Sequence, residues 1–208
     1  MKYNPKIHHR KSIRLKNYDY SRPGLYFITI CTQGQLHLFG EIVDGEMVLN
    51  DVGRRVWDEW RKSEKIRDEI KIHEFVVMPN HLHGIVEIVV GANGRSPVQS
   101  PVQSPVHSPV KKSMQTRSIG SLVAGFKSSF TAKINRIDGM PKRQLWQRNY
   151  WEHIIRNENE YQRIAQYIMD NPKKWALDKL NGGDGNQVME PSARYGQTAV
   201  CPDEVWMV

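Results

Sequence analysis

Two Val- and Ile-rich runs meet at Pro79-Asn80, and that junction limits what the chain can fold into more than any other stretch. Glu74-Phe-Val-Val-Met78 before it and His81-Leu-His-Gly-Ile-Val-Glu-Ile-Val-Val90 after it have the β-branched and aromatic content of strands. Pro followed by Asn is a tight-turn signal, so the stretch predicts an antiparallel hairpin. Strand side chains alternate between faces, which puts Leu82, Val86, Ile88 and Val90 on one side, with Gly84 as a gap in it. His81 and His83 share the other side, their backbones about 6 to 7 Å apart from two residues of rise. Two imidazoles at that spacing reach one divalent cation. Two structural histidines are the plainer reading of the pair, but burying them in an apolar strand without partners costs free energy. Glu87 is on the same side but about 13 Å along the strand from His83, too far to be a ligand.

The rest of the chain supplies a frame for that hairpin. Leu25-Tyr-Phe-Ile-Thr-Ile-Cys-Thr32 reads as a central strand, and Leu38 to Leu49 as two short strands around Asp44-Gly45. Asn50 caps a helix with Val52, Val56, Trp57 and Trp60 on one stripe, both tryptophans expected in the core. Ser118 opens a second helix, with Ile119, Leu122, Val123, Phe126, Phe130 and Ile134 at helical spacing. Residues 142–156 interleave basic and aromatic side chains and read as a strand. Asn157-Glu-Asn-Glu160 starts a third helix, whose buried stripe is Tyr161, Ile164, Ala165 and Ile168. Pro172 ends it, and Tyr167 and Asn171 sit on its shoulder. Strand, hairpin, helix, strand, strand, helix, strand, helix is the order of an α+β sandwich on an antiparallel sheet.

Charge and composition narrow the function. Thirty Lys and Arg against 22 Asp and Glu give a formal charge of +8, which favours a polyanionic partner. Residues 1–17 form a basic arm with Arg10, Lys11 and Arg14, and Lys127 and Lys133 lie off the apolar stripe of the second helix. Arg148 and Arg156 flank aromatic residues, a mixture suited to phosphate contact and base stacking, though an ordinary amphipathic strand would look the same. No apolar run approaches the roughly 20 residues of a membrane span, and the N-terminus is no signal peptide. Cys31 and Cys201 are too few for a disulfide framework, which fits a reducing compartment. Four tandem Ser-Pro-Val-x units from Ser96 to Lys111 place proline at every fourth residue, so residues 91–117 are expected as a disordered insertion. Residues 181–208 are expected as a flexible tail, leaving 18–180 as the catalytic domain.

Five stretches in order now carry a resemblance. Phe75-Val-Val-Met78, Pro79-Asn-His-Leu-His-Gly84, Gly120-Ser-Leu-Val-Ala-Gly-Phe-Lys127, Trp146-Gln-Arg-Asn-Tyr-Trp-Glu-His-Ile-Ile-Arg156 and Tyr167-Ile-Met-Asp-Asn-Pro172 together resemble the REP-associated tyrosine transposases, single-tyrosine HUH nucleases, from about Arg10 to Leu180. The resemblance implies a ferredoxin-like sandwich, His81 and His83 as metal ligands, Asn171 in the place of a third ligand, and Mg²⁺ or Mn²⁺ as the ion. It also implies Tyr167 as the nucleophile, with Glu152 and His153 lining the same cleft. From the residues alone Tyr150, Tyr161 and Tyr167 stand level, and the resemblance makes the choice. The partner it implies is single-stranded or hairpin DNA, cut by a monomer or homodimer through a 5′-phosphotyrosine. No carboxylate that could activate water stands beside the His pair in sequence, which favours strand transfer over hydrolysis. Two other readings keep the same residues: a nucleic-acid-binding module without catalysis, and a metal-dependent phosphohydrolase.

Overall fold

A computed structural model describes residues 18–89 and 117–181. The basic arm with Arg10, Lys11 and Arg14, the expected insertion 91–117 apart from Arg117, and the tail beyond Asn181 with Cys201 lie outside the described residues. Strands β1 (Gly24–Cys31), β4 (Ile70–Val77), β5 (His81–Ile88) and β6 (Trp151–Ile155) form one sheet in the order β4-β5-β1-β6, every pair antiparallel. Helix α1 (Asp51–Ile66) links β1 to β4, and α2 (Ile119–Ile137) links β5 to β6, which gives the expected ferredoxin-like connectivity. A separate ribbon of β2 (Gly40–Val43) and β3 (Glu46–Leu49) turns at Asp44-Gly45, both at positive φ, as a two-residue hairpin requires. Helix α3 (Glu158–Asp170) follows β6. No helix among the described residues is long and apolar enough to cross a membrane.

The alternation along β1 and β5 decides which helix covers which face. Tyr26, Ile28 and Ile30 of β1 and Leu82, Val86 and Ile88 of β5 face α1 and α2 in the larger core. Phe27 and Ile85 face the other way and pack with Trp151, Ile155 and the Ile164, Ala165 and Ile168 stripe of α3. The sheet is thus covered on both faces. The helix starts follow their caps: Asn50 accepts from Gly53 N, Ser118 from Ser121 N, and Asn157 from Glu160 N.

Three expectations needed correction. Residues 142–150 are not strand: only Trp146 bridges to Thr32, and β6 starts at Trp151. Leu145 and Trp146 are both buried in succession, which an alternating strand beside a solvent face does not permit. Asn171 keeps helical angles despite the proline after it, because the chain runs on into a 3₁₀ turn, Pro172–Leu177, where Lys174 N bonds Asn171 O. The tryptophans of α1 also divide. Trp60 is fully buried over Gly84, filling the gap in the β5 face, whereas Trp57 is 42 % exposed beside Phe75 and Arg61.

That division is measurable. Trp60→Ala should cost about 3–5 kcal/mol, lowering Tm on the order of 10 °C, while Trp57→Ala should cost less than about 1 kcal/mol. Equal losses for the two variants in a denaturant titration would place both rings in the core.

Candidate active site

The β1–β5 register sets His83 opposite Thr29 and His81 opposite Cys31, on the face that α3 covers. Both histidines have no solvent exposure. Each ring has its Nδ1 engaged. Asn80, in the hairpin turn, donates its amide to Leu180 O at 2.7 Å and Gln35 O at 3.1 Å, so its Oδ1 is the atom 2.8 Å from His81 Nδ1. Nδ1 of His81 therefore carries the proton and donates, which leaves Nε2 as a bare lone pair. His83 Nδ1 lies 2.8 Å from Thr29 Oγ1, and its Nε2 lies 3.2 Å from the Tyr167 hydroxyl. Burial holds both imidazoles neutral: His81 is pushed well below its ordinary value by burial and then by His83, and His83 falls to about 3.

Of the three candidate tyrosines, Tyr167 is the one that meets the His pair. Its ring stands 5.3 Å from that of His83 and edge-on to Phe27 at 6.0 Å. Tyr161 turns toward β4 instead and donates to Glu74 Oε2 at 2.6 Å, and burial plus that carboxylate push its phenol up to about 12. Tyr150 packs against the core on the opposite face of the sheet. Glu152 is also on that opposite face, opposite Ile28, because β6 alternates, so it does not line the cleft. His153 is on the α3 face but pairs with Glu160 at 2.7 Å.

Past α3 the chain closes over the histidines. Trp175 stacks near His81 at 5.9 Å, with His37 beyond it at 5.5 Å. Asn171 is buried and donates to Asp178 Oδ2 at 3.2 Å, which turns its own Oδ1 away from Asp178. The Asn171 side chain approaches His81 closely enough to favour the ring's charged form. In the neutral ring, Nε2 and Asn171 Oδ1 are two buried acceptors without a hydrogen-bond partner among the described residues. Such atoms call for a proton or a cation. Ligand atoms of His81, His83 and Asp178 lie within 4.8 Å of one another, a group that can hold a metal ion. Asp178 was missed in the sequence because no motif spacing ties it to the His pair. It also corrects the expectation that no carboxylate stands beside them.

The basic residues are placed less uniformly. Lys127 points inward, donating to Gln147 O at 2.9 Å and Asn149 O at 2.7 Å, and burial lowers its ammonium to about 8. Lys133 pairs with Glu59, whose other oxygen accepts from Ser129. Each thus meets an acceptor within the chain. Arg148 and Arg156 are exposed.

The neutral histidines set the acid limit of the metal-free protein. An unfolded histidine takes a proton near pH 6.5, whereas these two resist it when folded, so the unfolded state binds more protons below that pH. Stability is complete above about pH 6.5 and should fall on acidification toward pH 3, by up to about 1.4 kcal/mol per pH unit for each histidine. His83→Gln in EDTA should flatten that slope in urea titrations between pH 6 and 4. An unchanged slope would mean His83 is open to solvent protons.

No family model matches the chain. An uncharacterized protein of Haemophilus influenzae is 44 % identical over 181 residues, covering 86 % of this chain and 97 % of its own length. Among solved structures, a REP-associated tyrosine transposase bound to a REP hairpin is similar with a TM-score of 0.51 and 21 % identity, over 80 % of this chain and 76 % of that one. A transposase-like protein of Deinococcus radiodurans R1 gives a TM-score of 0.40 at 15 % identity, over 76 % of this chain and 95 % of its own, too slight a likeness to argue from. The fold is thus shared with the REP-associated transposase, and the chain belongs to the same family as the Haemophilus influenzae protein.

Proposed function

We propose that the protein is a transposase-like DNA strand transferase that cuts single-stranded or hairpin DNA with Tyr167 as nucleophile. The observation that carries this reading is the Tyr167 hydroxyl 3.2 Å from Nε2 of a buried, neutral His83, beside a second histidine with a bare Nε2. The similar transposase is described as bound to a REP hairpin, which suggests the same class of ligand here. His81 and His83 would hold a divalent ion such as Mg²⁺ or Mn²⁺, with Asn171 Oδ1 turned into the same space. Bound there, the ion would neutralise charge on the scissile phosphate.

The residues of the chain then divide the work. Phe27 and the α3 stripe fix the Tyr167 ring, so its oxygen is held in place before substrate arrives. Without an ion, His83 Nε2 is the acceptor for the phenol; that single lone pair would go to an ion bound there, which would leave the phenol free to turn to the phosphate. Tyr167 Oη attacks phosphorus, the P–O3′ bond breaks, and the phenolic proton ends on the departing 3′ oxygen. The product is a 5′-phosphotyrosine and a free 3′-OH, a linkage that permits later rejoining. Arg148 and Arg156, exposed members of the basic set, are available for phosphate contact.

Asp178 beside the His pair also favours a second reading, metal-dependent hydrolysis. Its two oxygens already accept from Leu180 N at 2.7 Å and Asn171 Nδ2, an arrangement that suits holding more than proton abstraction.

One assay separates these readings from a binding module. Incubation with Mn²⁺ and a hairpin oligonucleotide should give a denaturation-resistant protein–DNA adduct whose peptide contains Tyr167. Tyr167→Phe removes one oxygen and should abolish adduct and cleavage while keeping DNA binding within about threefold. His81→Ala with His83→Ala should likewise bind without cutting, since phosphate contacts supply affinity. Cleavage with no adduct would favour hydrolysis, and an adduct at Tyr150 or Tyr161 would overturn the nucleophile.

A further inference from the structure

We propose that Asp178 is a direct, charged ligand of the metal centre and that Asn171 is the positioning residue that aims it, so that metal binding locks the segment 172–181 onto the hairpin. This rests on the metal reading of the His81–His83 site given above.

Three observations converge on it. The carboxylate is delivered to the His pair: its ligand oxygen and the two imidazole nitrogens all lie within 4.8 Å of one another. Three atoms bound to one ion at about 2.1 Å stand roughly 3.0–3.6 Å apart, so closure from within 4.8 Å needs a movement on the order of 1 Å. The carboxylate is also held at both ends. Leu180 N donates to Oδ1 at 2.7 Å and Asn171 Nδ2 donates to Oδ2 at 3.2 Å, and each oxygen keeps a further lone pair for a cation. Finally, no Lys or Arg pairs with Asp178 among the described residues, and its hydrogen-bond partners are the Leu180 backbone amide and the Asn171 side-chain amide. His81 Nε2 and Asn171 Oδ1, from side chains 0 % and 2 % exposed, have no hydrogen-bond partner among the described residues.

The arrangement gives Asn171 a role different from a bare third ligand. One end of its amide fixes Asp178, and the other faces His81, so a single side chain ties α3 to both sides of the site. Asp178 lies between two 3₁₀ turns, Pro172–Leu177 and Lys179–Asn181, and Leu180 O in the second is bonded by Asn80. An ion joining His81 to Asp178 therefore closes a loop that already has one hydrogen bond across it.

The test uses MnCl₂ alone with the full chain, read by isothermal titration and by thermal melting in EDTA and in Mn²⁺. Wild type should bind one ion and gain Tm on adding it. Asp178→Asn keeps the acceptor for Leu180 N and removes the charge; it should weaken Mn²⁺ at least tenfold and lose most of the Tm gain, while its EDTA melt stays within a few degrees of wild type. Asn171→Ala should weaken Mn²⁺ too, and should add little to Asp178→Asn when the two are combined, because it acts through that carboxylate. Mn²⁺ affinity within threefold of wild type in Asp178→Asn overturns the assignment and leaves the His-pair reading intact. Absence of any Mn²⁺ binding by wild type overturns both. Should Asp178→Asn not fold, Asp178→Glu supplies the readout: retention of tight Mn²⁺ binding supports a carboxylate ligand, and affinity as weak as His81→Ala with a native EDTA melt contradicts it.

Discussion

Register between β1 and β5 holds the site in being. Side chains in a strand alternate, so a slip of one residue would carry His81 and His83 to the core face and bring Leu82 toward Tyr167. The slip is blocked because Ile28 and Ile30 of β1, with Leu82, Val86 and Ile88 of β5, are buried against α1 and α2. Trp60 over Gly84 adds a second lock, since the indole fills the one position where β5 has no side chain. With that register fixed, Thr29 meets His83, and α3 lies on the only face from which Tyr167 can reach a histidine.

Asn80 converts this geometry into chemistry. Its amide is pinned by two carbonyls, one before β2 and one at Leu180, so its oxygen selects the Nδ1-protonated form of His81. The unprotonated Nε2 is then directed inward, without solvent, against Asn171. The turn after β1 and the end of the described unit thus meet at one hairpin turn. A turn residue that sequence reasoning uses only as punctuation proves to set a tautomer and to anchor the segment carrying Asp178.

How much of this could be read beforehand depended on whether the signal was local. The hairpin, the two-faced β5 and the caps Asn50, Ser118 and Asn157 were legible, because alternation and capping are properties of neighbouring residues. The antiparallel sheet with helices packed on it followed from the order of elements. The expected residue 142–156 strand failed in its first part, since basic and aromatic alternation there reflects the burial of Leu145 and Trp146 beside exposed Arg148. Lys127 and Lys133 showed their charge in the sequence but not their acceptors, which come from residues 147 and 149 and from α1. Asp178 was illegible for the same reason: its place beside the His pair depends on the path of the turns after Pro172. Asn171 and Tyr167 were placed on the helix shoulder from periodicity, and both do face the His side.

The proposed metal centre lies among the buried acceptors around His81, within reach of Tyr167. Crystals grown with Mn²⁺ and measured at the manganese edge test it directly. One strong anomalous peak is expected about 2.0–2.3 Å from His81 Nε2, with His83 and Asp178 as further neighbours and the Tyr167 hydroxyl at the rim. No peak there, with His81 Nε2 bonded instead to an ordered water or to Asn171 turned end for end, would contradict it.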